Sequence, residues 1–161
     1  ITNGSVLEKV YYAINATSVT TDVEVNVENS TLDAWAVLNL WGTGNSVYNF
    51  RNSTLIGRNY YPAGPSNAFA NFVINQGAEN AVINIEDSQL IMFSKTTNKQ
   101  YAVSARTTAT IPINITGNTK IVDRTNSLDY VISKNNNTGV VFSIAPTVSV
   151  IGKQGASLEE N

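Results

Sequence analysis

Val23-Glu24-Val25-Asn26-Val27-Glu28-Asn29-Ser30-Thr31-Leu32 alternates apolar and polar residues up to Val27, breaks at a small polar pair, and returns to an apolar anchor at Leu32. The phrase comes back as Phe50-Arg51-Asn52-Ser53-Thr54-Leu55 and as Ile85-Glu86-Asp87-Ser88-Gln89-Leu90, and an opening version, Ile1-Thr2-Asn3-Gly4-Ser5-Val6, precedes them. Ile115-Thr116-Gly117-Asn118-Thr119-Lys120-Ile121 is a slightly longer fifth copy. The anchors Val6, Leu32, Leu55, Leu90 and Ile121 lie 26, 23, 35 and 31 residues apart, an uneven but repeating interval. Self-similarity at such intervals is the mark of a repeat architecture.

Before each corner the residues alternate strictly: Val23 to Val27, Val47-Tyr48-Asn49-Phe50, Val82-Ile83-Asn84-Ile85 and Ile111-Pro112-Ile113-Asn114-Ile115. A period of two means strands with one buried face. Outside a short turn expected at Leu7 to Tyr12, no apolar set recurs at helical spacing behind a capping residue. The expected fold is therefore all-β.

Hairpins and a stack of coils are the two all-β arrangements to separate. Hairpins call for two-residue Asn-Gly or Asp-Gly loops between strands, and only Asn3-Gly4 qualifies, inside a corner of the repeat. In a stack, one corner recurs per coil and inward aliphatics of successive coils bury one another. Asn and Asp suit such corners because they tolerate the left-handed backbone region, and stacked corner amides are expected to form a ladder. The long gaps are then excursions. Asn59 to Asn67, with Pro62, Gly64 and Pro65, forbids a central strand. Lys95 to Gln100 and the Thr-rich run from Arg106 to Thr110 are expected to play the same part, on the side where binding specificity gathers in repeat folds.

The phrases VENSTLDAWAVLNLWG (27–42), NFRNSTLIGRN (49–59), NAFANFVINQGAENAVINIEDSQL (67–90) and INITGNTKI (113–121) resemble the right-handed parallel β-helices of pectate-lyase-like shape in bacterial surface proteins. The resemblance covers about Ile1 to Val122. It implies a right-handed parallel β-helix, a β-solenoid of about five coils with loop excursions, over residues 1–151. Residues 152–161 read as a polar C-terminal tail or linker. From Asp123 onward the pattern departs from the repeat, with last strands expected at Val140 to Ile144 and Val148 to Ile151.

Composition narrows the function. The chain has 161 residues, a formal net charge of -2, 14% charged residues and no Cys or His. No Lys/Arg cluster offers a surface to nucleic acid, and no apolar run approaches the length that spans a bilayer, so neither nucleic acid nor membrane insertion is expected. Asn, Ser and Thr supply 53 residues, a polar uncharged mixture that points to export, to the cell surface or the medium. Sequons stand at Asn3, Asn15, Asn29, Asn52, Asn114 and Asn136 as glycosylation candidates.

Without His or Cys there is no Ser-His-Asp triad, no thiolate and no imidazole or sulfur metal site; no cofactor or metal is expected. Carboxylate chemistry remains, because enzymes of the resembled fold cleave acidic polysaccharides. Asp22 with Glu24 on one strand face, and Glu86 beside Asp87, are the candidate pairs, and Arg51, Arg58 and Arg106 are available as bases, but no acidic cluster accompanies them. The chain is expected not to be an enzyme. Trp35, Trp41, Tyr60 and Tyr61 are the candidate ligand contacts, as a platform on which sugar rings stack, with Trp35 and Trp41 placed together on the odd-numbered, outward face. The reading is an extracellular adhesion module that recognises a glycan or matrix surface, or a structural rod. Its alternatives are a filament subunit joined end to end by strand addition, using Ile1 to Ala13 and Val140 to Ile151, and a polysaccharide lyase or glycosidase.

Overall fold

The computed structural model describes residues 1–59, 70–94, 101–124 and 139–151. Over these residues the chain is all-β, with thirteen strands and no helix. The strands are β1 (Val6–Ala16), β2 (Val23–Glu28), β3 (Thr31–Leu40), β4 (Ser46–Arg51), β5 (Thr54–Asn59), β6 (Ala70–Ile74) and β7 (Ala81–Glu86). They continue with β8 (Gln89–Ser94), β9 (Tyr101–Ala105), β10 (Ile111–Thr116), β11 (Lys120–Arg124), β12 (Val140–Ile144) and β13 (Ser149–Ile151).

Pairing among the described residues is parallel, and it joins strands from successive passes of the chain rather than sequence neighbours. One sheet has the order β12-β10-β7-β4-β2; the other runs β13-β11-β8-β5-β3-β6-β9, with β1 also on β3. Each pass crosses the first sheet, turns a corner and enters the second, as β2 into β3, β4 into β5 and β7 into β8. The second sheet forks at β3: Thr31–Ala34 pair with β5, and Leu38–Leu40 pair with β6. The described residues on either side of the two gaps are in register, Asn59 with Ser94 and Ala70 with Tyr101.

Register explains the anchors. Leu32 lies opposite Leu55, Leu55 opposite Leu90 and Leu90 opposite Ile121, and all four are fully buried. In the first sheet Tyr48, Ile83 and Ile113 form a comparable row. A single core cluster draws on both sheets. Val6 breaks the expected pattern: it pairs with Thr31 and is 61% exposed, while Leu7 takes the position opposite Leu32. Gly4 is the extra residue in that first corner, since Ser5 O accepts from Thr31 N–H just as Ser30 O accepts from Thr54 N–H, and with a two-residue period one insertion reverses which side chain points inward. Leu7 to Tyr12 lies in β1, not in a turn, because pairing with β3 overrides its weak local preference.

Asn29, Asn52 and Asp87 sit at the corners with φ of 49°, 48° and 48°, the left-handed conformation that short polar residues tolerate. The ladder at the corners, however, is made by hydroxyls and not by amides. Ser53 Oγ accepts from Ser30 N–H, Ser88 Oγ from Ser53 N–H, and Thr119 Oγ1 from Ser88 N–H, at 3.1–3.3 Å. Each serine hydroxyl in turn donates to the carbonyl two residues before it. The αL backbone turns the Asn side chains of the corner outward and leaves the serines buried beneath. In the longer fifth corner Gly117 has φ 64°, and a Cβ there would lie 2.3 Å from Asp87 Oδ1, which accepts from Asn118 N–H at 2.8 Å.

Arg106 to Thr110 is not an excursion. Arg106 N–H donates to Ile74 O, and buried Thr107 donates its hydroxyl to Ala78 O, so this run is a tight corner laid on the previous one. Of the excursion expected at Asn59 to Asn67, Asn59 is instead the last residue of β5, paired with Ser94; residues 60–67, like 95–100 and the tail at 152–161, lie outside the described residues. Beyond Asp123 the pairing continues, β12 on β10 and β13 on β11.

Candidate functional site

The two tryptophans do not form a platform. Alternation along β3 fails from Ala34 to Leu40, all of which are buried, because this stretch has the main core on one side and a small outer cluster on the other. Trp35 is 1% exposed. Tyr11, opposite it on β1, stacks on its ring at 4.8 Å and 8°, and Tyr12 meets it edge-on at 5.7 Å. An outward Trp35 is therefore corrected: it points away from the main core but lies beneath Tyr11. Trp41 is 47% exposed just past the end of β3, as an outward residue should be. Tyr60 and Tyr61 lie outside the described residues.

Tyr11, which the alternation argument passed over, is the solvent face of this aromatic trio. The signal for it was positional, one pass before Trp35. Burial, then the neighbouring Tyr11, pushes the Tyr12 phenol up to about 12.

Of the sequons, Asn3, Asn29 and Asn52 are exposed at corners with positive φ. Asn15 is exposed on β1, and its Oδ1 accepts from Asn39, which accepts in turn from Asn75. Asn114 is half-buried in β10 and its amide is committed to a neighbour. Asn136 lies outside the described residues.

That neighbour belongs to the best ordered polar surface of the molecule, the outer face of the five-stranded sheet. Alternation turns Val25, Tyr48, Ile83 and Ile113 inward, so the residues between them face out in lanes that run across the strands. The central lane is Asn26, Asn49, Asn84, Asn114 and Ser143. Asn114 Nδ2 donates to Asn84 Oδ1 at 2.8 Å, Asn84 to Asn49 at 2.8 Å, and Asn49 to Asn26 at 2.9 Å. The chain ends on Glu24, whose carboxylate accepts from Asn26 at 3.0 Å and from Asn49 at 3.3 Å. On one side runs Val47, Val82, Pro112 and Val141; on the other Glu28, Arg51, Glu86 and Thr116. Arg51 is ion-paired with both Glu28 (3.8 Å) and Glu86 (3.2 Å).

A ladder amide gives one N–H to the preceding residue and accepts one from the next, which leaves a second N–H and a second lone pair. Asn84 and Asn114, both half-buried, lie on the outward face of their strands, and as the last amide of the lane Asn114 keeps both lone pairs. The lane was visible in the sequence as one Asn in each alternating run, but periodicity marks such a residue only as outward.

The carboxylates considered for catalysis are engaged elsewhere. Asp22 accepts from Asn45 at 2.9 Å, Glu24 ends the amide lane, Glu86 pairs with Arg51, and Asp87 holds the Asn118 N–H. Arg58 is bound to Asp33 at 2.6 Å and lies over the Phe93 ring. Among the described residues no three His, Cys, Asp or Glu side chains group as a metal site would require. No protein-family model, curated protein or solved structure matches the chain.

Proposed function

We propose that the chain is a right-handed parallel β-helix of the pectate-lyase-like shape, exported to the cell surface or medium, where it serves as a non-catalytic adhesion module. Its recognition surface is the outer face of the five-stranded sheet. The observation that carries this reading is the outward amide lane beside an aliphatic lane. Asn is depleted in strands, and beyond the bonds of the ladder its amide keeps polar groups that a Val would not offer. Here four consecutive passes place Asn at the same outward position.

The rigid scaffold suits the role, because a surface fixed by backbone ladders and a shared core loses little conformational freedom on binding. A glycan and matrix-protein array with the intact chain tests the reading, with an Asn49→Thr/Asn84→Thr variant beside it. Binding by the parent that the variant loses is the expected result. Equal binding by both would refute the assignment of the face.

The filament reading has one observation in its favour. Among the described residues β2 pairs only with β4, leaving an open edge, and Ile1 already lies along it: its amine donates to Asn26 O and its carbonyl accepts from Glu28 N–H, both at 2.9 Å. Extended backbone is thus accepted there, as strand addition requires. Sedimentation across a range of concentrations separates the readings, since a module that stays monomeric does not assemble end to end.

A further inference from the structure

We infer that the partner of the five-stranded face is a neutral, extended polysaccharide lying across the strands along the amide lane; this rests on the reading of that face as a recognition surface. Three features of the face select this ligand class.

The first is hydrogen-bond inventory. Beyond the bonds of the lane, Asn84 retains one N–H and one lone pair, and Asn114 one N–H and both lone pairs. A hydroxyl both donates and accepts, so a polyol satisfies both halves of each amide. A carboxylate, sulfate or phosphate only accepts and leaves the outward lone pairs facing its own oxygens.

Charge is the second. The only cation in the three lanes, Arg51, is already held between Glu28 and Glu86, and the amide lane terminates on the Glu24 carboxylate. An acidic polymer would meet an uncompensated carboxylate and no free guanidinium. The face thus disfavours the uronate polymers cleaved by enzymes of the resembled fold.

Shape and period come third. Val47, Val82, Pro112 and Val141 form an aliphatic strip one residue wide, with Val141 52% exposed. The strip repeats at the strand spacing of about 4.8 Å. A helix needs a broader apolar groove, and an added strand needs an edge, not a face. A sugar chain has C–H faces for the strip and hydroxyls for the amides, repeated along its length.

Isothermal titration of the intact chain with a β-1,4-linked glucose hexamer and, separately, a galacturonate hexamer tests the inference. Saturable binding of the glucose hexamer is expected, about tenfold weaker in Asn84→Thr/Asn114→Thr, since each threonine hydroxyl replaces only part of what its amide offers and about two hydrogen bonds of ordinary worth are lost. Val82→Glu, which leaves the amides in place, should weaken it as well, whereas Trp41→Ala should not. Binding of the galacturonate hexamer alone, reduced by the lane variants, would overturn the neutral assignment and leave the face as a recognition surface. Binding of neither hexamer would overturn the polysaccharide inference while the array still tests the face, and binding that ignores the lane variants would overturn both.

Discussion

Leu90→Ala probes the inner row on which the architecture depends. Leu90 is fully buried between Leu55 and Ile121, and both of those belong to strands paired directly with its own. The substitution removes three carbons, worth about 2.4 kcal/mol of transfer free energy at ~0.8 kcal/mol each. The cavity adds to this, because flanking strands held by backbone ladders collapse little into the space; comparable core sites lose about 3–5 kcal/mol in total. We therefore expect about 3–4 kcal/mol. Val6→Ala is the paired control. The repeat phrase makes Val6 an anchor equivalent to Leu90, but its side chain is 61% exposed and should contribute less than about 0.5 kcal/mol. Urea denaturation followed by far-UV circular dichroism measures both, provided the slope of the transition is unchanged. A loss below about 1 kcal/mol for Leu90→Ala, or equal losses for the two variants, would refute the register argued here.

Ser88→Ala should cost about 1–3 kcal/mol, because it removes the acceptor of the buried Ser53 N–H and the donor to Glu86 O; chemical denaturation measures it. Acrylamide should quench one of the two tryptophans readily and the other poorly, and Trp41→Phe should abolish the accessible fraction, as Trp35 is buried. The Tyr12 phenol, raised to about 12, keeps its proton in the folded chain after an ordinary tyrosine at about 10 has lost it. Its contribution to stability is therefore fully present below pH 10 and is lost as pH rises from 10 through 12. A late step in the 295 nm absorbance titration that disappears in Tyr12→Phe would verify this. Expressed in a glycosylating host, the chain should carry glycans at the exposed corner residues Asn29 and Asn52 and none at Asn114, whose amide nitrogen is bonded to Asn84; peptide mass spectrometry reads the occupancy.

Much of the architecture was legible in the residues because its signals are local and repeated. An alternating run implies a strand with one buried face wherever it occurs, and the Asn-Ser or Asp-Ser corners announce a residue that tolerates the αL conformation. Leu32, Leu55 and Leu90 could be aligned by eye since each follows its corner Asn or Asp by three positions, and Ile121 follows in the longer fifth copy. Val6 could not, because the extra residue in the first corner is undetectable without knowing what Thr31 pairs with.

What the sequence determined by itself was the all-β class, the recurrence of the corner, and the absence of imidazole and thiol chemistry, each carried by residue identity or by short-range spacing. Tertiary structure alone decided which residues meet across passes. It set Tyr11 over Trp35, closed the corners with serines rather than asparagines, folded Arg106 to Thr110 down onto an earlier corner, and joined Asn26, Asn49, Asn84 and Asn114 into one outward lane. Those partners lie 23 to 35 residues apart along the chain. Periodicity assigns a side chain to a face, but only strand register assigns it a neighbour.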